Sequence, residues 1–189
     1  IGEDVLVTRD PKEILAADKV VLPGVGSFGD AMENLHHFGL VPVIHQVVQE
    51  QTPFLGICLG LQLLFEKSEE SPGVEGLGIL KGEILRIPAT EGLKIPHMGW
   101  NNIKFPNQGR LFAGIPEDAY VYFVHSYYLK AQDENIVTAT TEYGTHIHAS
   151  VESGNLFACQ FHPEKSSHVG LQILKNFAKL EGKGGTIRC

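Results

Sequence analysis

A short apolar run that stops at a cysteine and resumes with helical spacing, Pro53 to Phe65 (PFLGICLGLQLLF), constrains the fold of this chain more than any other stretch. The part ending at Cys58 reads as a buried strand and the part after it as a helix, with a tight turn between them. Gly56 and Gly60 stand two residues either side of Cys58, so no Cβ crowds the turn and a positive φ becomes tolerable there. This is the logic of a nucleophile elbow, with sulfur in place of oxygen. At the first turn of a helix the thiol would meet unpaired N–H groups and the positive end of the dipole, both of which favour thiolate. The competing reading is a cysteine packed in a strand as a small hydrophobe.

The segments before the elbow alternate. Val5 to Thr8 is strand-like; Asp10 can cap a helix that has Pro11 at its first position, Glu13 placed for a capping box, and its end at Ala17. Lys19 to Leu22 is a β-branched run that stops at a Gly-rich loop, PGVGSFGD, whose N–H groups can approach a ligand closely or simply make a turn. Helices over Ala31–Phe38 and Val41–Gln51, parted by Gly39, lead into the elbow. Strand, helix, strand, helix predicts a parallel sheet with helices on its faces, and ligands bind such sheets at the carboxyl ends of strands. Both the PGVG loop and Cys58 fall at such ends.

Beyond a Gly-, Glu- and Pro-containing loop or lid from Ser68 to Gly82 the pattern changes. Glu83–Ile87, Trp100–Phe105, Tyr120–Lys130, Ile136–Tyr143, Thr145–Val151 and Leu156–Phe161 are strand-like and predict antiparallel pairing. An amphipathic helix, His168–Leu180, follows, with Ser166 or Ser167 as its cap. With 189 residues, 43% of them hydrophobic, the chain suits one domain over 1–181 and a mobile Gly-rich tail over 182–189. Fifteen basic against 22 acidic residues, net −7, provide no electrostatic footprint for nucleic acid or an anionic membrane surface. No apolar run reaches the length of a membrane span, and the start lacks the pattern of a signal peptide. Cysteines at 58, 159 and 189, with no CxxC pair, make neither a disulfide framework nor a zinc site, which fits a reducing, cytoplasmic setting.

A thiol nucleophile calls for a base, and the base for an orienting group. His162 ends the last strand, and Pro163 biases it toward an extended backbone, so His162 and Glu164 point to the same side. Glu164 can then hold the imidazole in one tautomer while the other nitrogen faces a thiol. A surface HPE turn is the plainer reading. His146 and His148 are also two apart but lack a third metal ligand at sensible spacing. His36, His37 and His45 lie on helices and read as structural; His97 and His125, in aromatic surroundings near strand ends, can line a pocket or a contact surface. Cys159, three before His162, faces the other side of the strand as core. Gln62 falls one helical turn after Cys58 in an otherwise apolar helix, so its amide needs either a substrate or a neighbouring loop as partner.

Together GICLGLQ, PGVGSF, PHMGWN, FVHSYY and QFHPEKSS resemble class I glutamine amidotransferases, which carry a GxCxGxQ elbow and a later HPE, and within them the glutaminase subunits of imidazole glycerol phosphate synthases. The resemblance covers residues 4 to 180. It implies a flavodoxin-like, open, mostly parallel sheet with helices on both faces and an added antiparallel portion. It further implies that Cys58 attacks the carboxamide of L-glutamine, that His162 protonates the departing ammonia and later activates water, and that Glu164 orients His162. By the same resemblance Val25, Gly26 and Leu59 form the oxyanion hole, and Gly24, Gln62, Ser126 and Tyr127 hold the substrate. No cofactor and no metal are implied. The implied partner is a (β/α)₈-barrel cyclase, separate or fused, which receives the ammonia, with Trp100, Asn101, Tyr122 and Lys165 at the contact and PGVG as a moving part. Members of the family begin with a further strand and helix, so the true amino end is expected to be missing here. Another class I amidotransferase or cysteine hydrolase, and a non-catalytic interaction subunit on the same fold, remain as alternative readings.

Overall fold

The alternation read from the sequence is present in the computed structural model, which describes residues 1–182. Its first half runs α1 (Pro11–Ala16), β1 (Val20–Leu22), α2 (Phe28–His37), α3 (Leu40–Gln49), β2 (Phe54–Ile57) and α4 (Leu59–Leu63). The second half is β3 (Lys67–Ser68), β4 (Gly82–Arg86), β5 (His97–Asn102), β6 (Tyr120–His125), β7 (Tyr127–Ala131), β8 (Val137–Glu142), β9 (His146–Ser153) and β10 (Leu156–Cys159), closed by α5 (Ser167–Ala178). Expectations for the tail and Cys189 lie outside the described residues from 183 onward.

One sheet carries the strand order β1-β2-β10-β9-β7-β4-β3, with β8 added on β9, and β5 with β6 forms a separate two-stranded sheet. Pairing is parallel across β1, β2 and β10 and again between β3 and β4, and antiparallel elsewhere, so the sheet is mixed and its antiparallel portion is large. The pleat sends neighbouring residues to opposite faces. Phe54 and Ala158 pack with Phe28, Met32, Ile44 and Val47 of α2 and α3, whereas Leu55, Phe157 and Cys159 pack with Ile173 and Phe177 of α5 and with Val121 and Phe123 of β6. Helices thus cover both faces, and Cys159 is core, as its spacing predicts.

Four local expectations change. Val5 to Thr8 forms no strand, because no sheet edge takes up its N–H and C=O groups; Val5 and Val7 are exposed. Thr8 instead bonds to the Glu13 carboxylate and accepts from Asp10 N, so Glu13 makes no capping box, while Asp10 does cap, accepting from Lys12 N at 2.8 Å. The single strand expected over Tyr120–Lys130 breaks at Ser126: β6 pairs with β5, and β7 with β4 and β9, so the run crosses from one sheet to the other. Neither Ser166 nor Ser167 caps α5 with its side chain; Ser166 Oγ donates to His162 O at 2.6 Å and accepts from Tyr122 N at 2.9 Å.

Candidate active site

At the elbow the sequence expectation and the backbone agree. Cys58 has φ 55° and ψ −109°, a conformation that L side chains rarely adopt, and it joins the carboxyl end of β2 to α4. The flanking glycines make room for this turn: a Cβ on Gly56 would lie 2.7 Å from Gly60 O, and one on Gly60 would lie 1.9 Å from Leu22 O of β1. Cys58 N donates to Cys159 O at 2.8 Å, tying the elbow to the end of β10.

The thiolate expected from the helix end is not the resting state. Burial pushes the Cys58 thiol up to about 11, and the Leu59 N–H, which acts in the opposite direction, only partly offsets it. Helix α4 has five residues, too short for a strong terminal dipole, and the thiol is 9% exposed. At neutral pH Cys58 therefore holds its proton.

His162 and Glu164 meet as their parity predicts. His162 Nδ1 lies 2.8 Å from Glu164 Oε1, and a carboxylate oxygen accepts, so Nδ1 carries a hydrogen. Nε2 is buried and has no hydrogen-bond partner among the described residues. The backbone of His162 is fixed to β6 by its N–H donating to Tyr122 O at 2.9 Å, and Ser166 bridges the same two residues.

These groups converge on a cleft of about 370 Å³ at the carboxyl ends of β1, β2 and β10. Of the residues expected at a site, Val25, Gly26, Cys58, Leu59, Gln62, Ser126, Tyr127, His162 and Lys165 line it. Glu164 stands behind His162. Gly24 lies outside the lining and packs on the elbow instead, where a Cβ would come within 3.0 Å of Leu59 Cβ. Val25 is 82% exposed, and Gly26 has φ +96° in the open.

Gln62 finds partners inside the protein. Its Nε2 donates to Tyr127 O at 3.1 Å and to Gln160 Oε1 at 3.0 Å, and Gln160 Nε2 in turn lies 3.7 Å from Cys58 Sγ. Gln160 is missed by the sequence reading, although it is two before His162 in an extended segment and fully buried, the same parity that identifies Glu164. Glu70 is missed as well: it sits in the 68–82 loop, lines the cleft, and accepts from Phe28 N at the start of α2 at 2.8 Å.

The residues expected at a partner contact divide. Trp100 and Tyr122 are opposed across β5 and β6 and make an edge-to-face pair, rings 6.1 Å apart, on a face shared with exposed Met98 and Tyr120. Asn101 points the other way. Its Nδ2 donates to Glu142 O at 3.0 Å and lies 3.3 Å from His97 Nε2, and its Oδ1 accepts from Asn102 N. Elsewhere His146 pairs with Glu142, and His148 Nδ1 accepts from Ala131 N, so the two imidazoles have separate local partners.

Comparison with known proteins gives this geometry a context. The family model "Glutamine amidotransferase class-I" matches residues 4–180. A protein of Moorella thermoacetica named imidazole glycerol phosphate synthase subunit HisH is 56% identical over 98% of this chain and 87% of its own length. Proteins of the same name from Methanocaldococcus jannaschii and Bacillus subtilis are each 48% identical, over 94% and 95% of the chain and 88% and 86% of their own lengths. In fold, the chain resembles a solved glutamine amidotransferase with a TM-score of 0.67 at 18% identity, covering 90% of this chain and 85% of that one. It likewise resembles the Trypanosoma brucei CTPS glutaminase domain with bound acivicin, with a TM-score of 0.63 at 18% identity over 90% and 75% of the two chains. A strained cysteine elbow, a carboxylate-held histidine, and these likenesses lead to one conclusion: the chain belongs to the class I glutamine amidotransferase family, in the branch of the imidazole glycerol phosphate synthase HisH subunits.

Proposed function

We propose that this chain is the glutaminase subunit of an imidazole glycerol phosphate synthase, hydrolysing L-glutamine to glutamate through a Cys58 thioester and handing the ammonia to a (β/α)₈-barrel cyclase. The observation that carries the chemistry is the buried His162 Nε2, without a partner among the described residues, in the cleft that Cys58 shares. Because Cys58 is protonated at rest, attack requires His162 to take the thiol proton as the S–C bond forms. The oxyanion that results is met by N–H groups near Leu59 and Val25, with Gly26 allowing the loop to turn. His162 then gives the proton to the amide nitrogen, the C–N bond breaks and ammonia leaves; water, deprotonated by the same nitrogen, opens the thioester to glutamate. Glu164 keeps Nδ1 protonated throughout and stabilises the imidazolium.

Substrate fit follows from the lining. Glu70 supplies a carboxylate for the α-amino group, Gln62 Oε1 an acceptor, and Ser126 and Tyr127 the wall along the glutamyl chain. The aromatic face of Met98, Trp100, Tyr120 and Tyr122 continues into the cleft through Val124 of β6, and Lys165 stands at the cleft as well, which supports a cyclase docked against the β5–β6 sheet. The setting is a reducing cytoplasm, with Cys58 and Cys159 as free thiols. Cys58→Ala should abolish glutamine hydrolysis, measured as glutamate release in the presence of the cyclase and its nucleotide ligand; retained turnover would refute the assignment. No stimulation by the cyclase and no complex on a sizing column would point to a different amidotransferase.

A further inference from the structure

His97 and His125 are buried, 3% and 6% exposed, and take no part in the chemistry just described. They lie opposite each other in the β5–β6 register, with His97 Nδ1 2.9 Å from His125 Nε2. His125 Nδ1 is 2.8 Å from Tyr127 O, the same carbonyl that accepts from Gln62. A carbonyl only accepts, so His125 carries its hydrogen on Nδ1 and presents a lone pair on Nε2. His97 must then donate from Nδ1, and its own lone pair on Nε2 faces the Asn101 amide. That amide cannot flip without losing Glu142 O on one side and Asn102 N on the other. The His97 ring is stacked between Phe123 and Tyr143, centroids 4.6 and 3.9 Å away, which blocks rotation. Every hydrogen in the series has one position.

We propose that His97 and His125 are positioning residues for the glutamyl site, a one-way hydrogen-bond relay from Asn101, beneath the aromatic face of the β5–β6 sheet, to the Tyr127 carbonyl and the Gln62–Gln160–Cys58 series that shares it. The relay rests on the glutaminase reading and adds to it the way the substrate wall is held. An extra proton anywhere in it sets two donors against each other, and burial keeps both rings neutral, pushing His97 down to about 4 and His125 to about 3. Removing the His125 donor leaves Tyr127 O half-satisfied and frees Gln62 and β7 to shift, while Cys58, His162 and Glu164 keep their own anchors on β10 and β6.

The test uses the full chain in complex with the cyclase and its nucleotide ligand. His125→Phe removes the relay; His125→Asn puts Nδ2 near the place of the imidazole Nδ1 and restores a donor to Tyr127 O. We expect His125→Phe to raise KM for glutamine about tenfold with kcat changed less than about threefold, and His125→Asn, which restores the donor to Tyr127 O but leaves His97 Nδ1 without its acceptor, to bring KM part of the way back, to about threefold above the parent. An unchanged KM, or no recovery in the Asn variant, overturns the proposal; a purely structural role would lower the active fraction and leave KM alone. Should His125→Phe fail to fold, imidazole ¹⁵N NMR of the unaltered protein decides: both rings must show the neutral Nδ1–H tautomer, and Nε2–H or a cation on either overturns the relay. Absence of glutamine turnover in the unaltered complex would instead refute the glutaminase reading, with the tautomers still judging the relay.

Discussion

At the scale of the residue, the cleft is lined both by a thiol that is hard to ionise and by a histidine whose buried Nε2 has no partner among the described residues. Raising the Cys58 pKa from 9.0 to about 11 leaves about a hundredfold less thiolate at neutral pH. Iodoacetamide should therefore alkylate Cys58 of the isolated chain about a hundredfold more slowly at pH 7 than an ordinary exposed thiol, with a rate that climbs with pH toward 11. Mass-spectrometric counting of modified Cys58 measures this, and fast labelling at pH 7 would contradict the burial argument. Cys58, His162 and Glu164 were legible because each follows a local rule: glycines around a strand end, and parity along an extended segment. Gln160 obeys the same parity rule. Glu70 and the His97–His125 pair were not legible, since one lies in a loop without periodicity and the other depends on a hairpin register that joins residues 28 apart.

At the scale of the element, the elbow depends on how closely β1, β2 and α4 approach. The Leu22 carbonyl occupies the space that a side chain on residue 60 would need, and neither strand nor helix can retreat without opening the core. Gly60→Ala should destabilise the fold by roughly 2–4 kcal/mol and remove activity with it, as urea unfolding followed by circular dichroism can measure. Gly26→Ala should be milder on folding, because its Cβ meets open space, and only the positive φ opposes it. The alternation of strands and helices was readable from hydrophobic period and glycine punctuation. The corner at Ser126 was not: Tyr120 to Ala131 is one β-forming run in composition, and only the existence of two sheets divides it.

At the scale of the whole molecule, three buried histidines whose pKa burial lowers, His97, His125 and His148, make stability depend on pH. Each binds a proton less readily when folded than in the unfolded chain, whose histidines titrate near 6.5. Between about 6.5 and about 4 the unfolded state therefore holds more protons, so stability rises with pH across that window and is lost on acidification through it. The urea midpoint should fall from pH 7 to pH 5, and the fall should be shallower in His125→Asn; an equal slope in both would remove His125 as the cause. No helix among the described residues is long and apolar enough to cross a membrane. The left-handed backbone at Cys58 bears on the history of such chains too. Glycine adopts that conformation without the strain of about 1–3 kcal/mol that a side chain incurs there. On the proposed chemistry, relaxed selection would let Cys58 drift to glycine and leave a sturdier scaffold behind, so a cysteine kept at this corner would separate a working enzyme from a pseudoenzyme of the same shape.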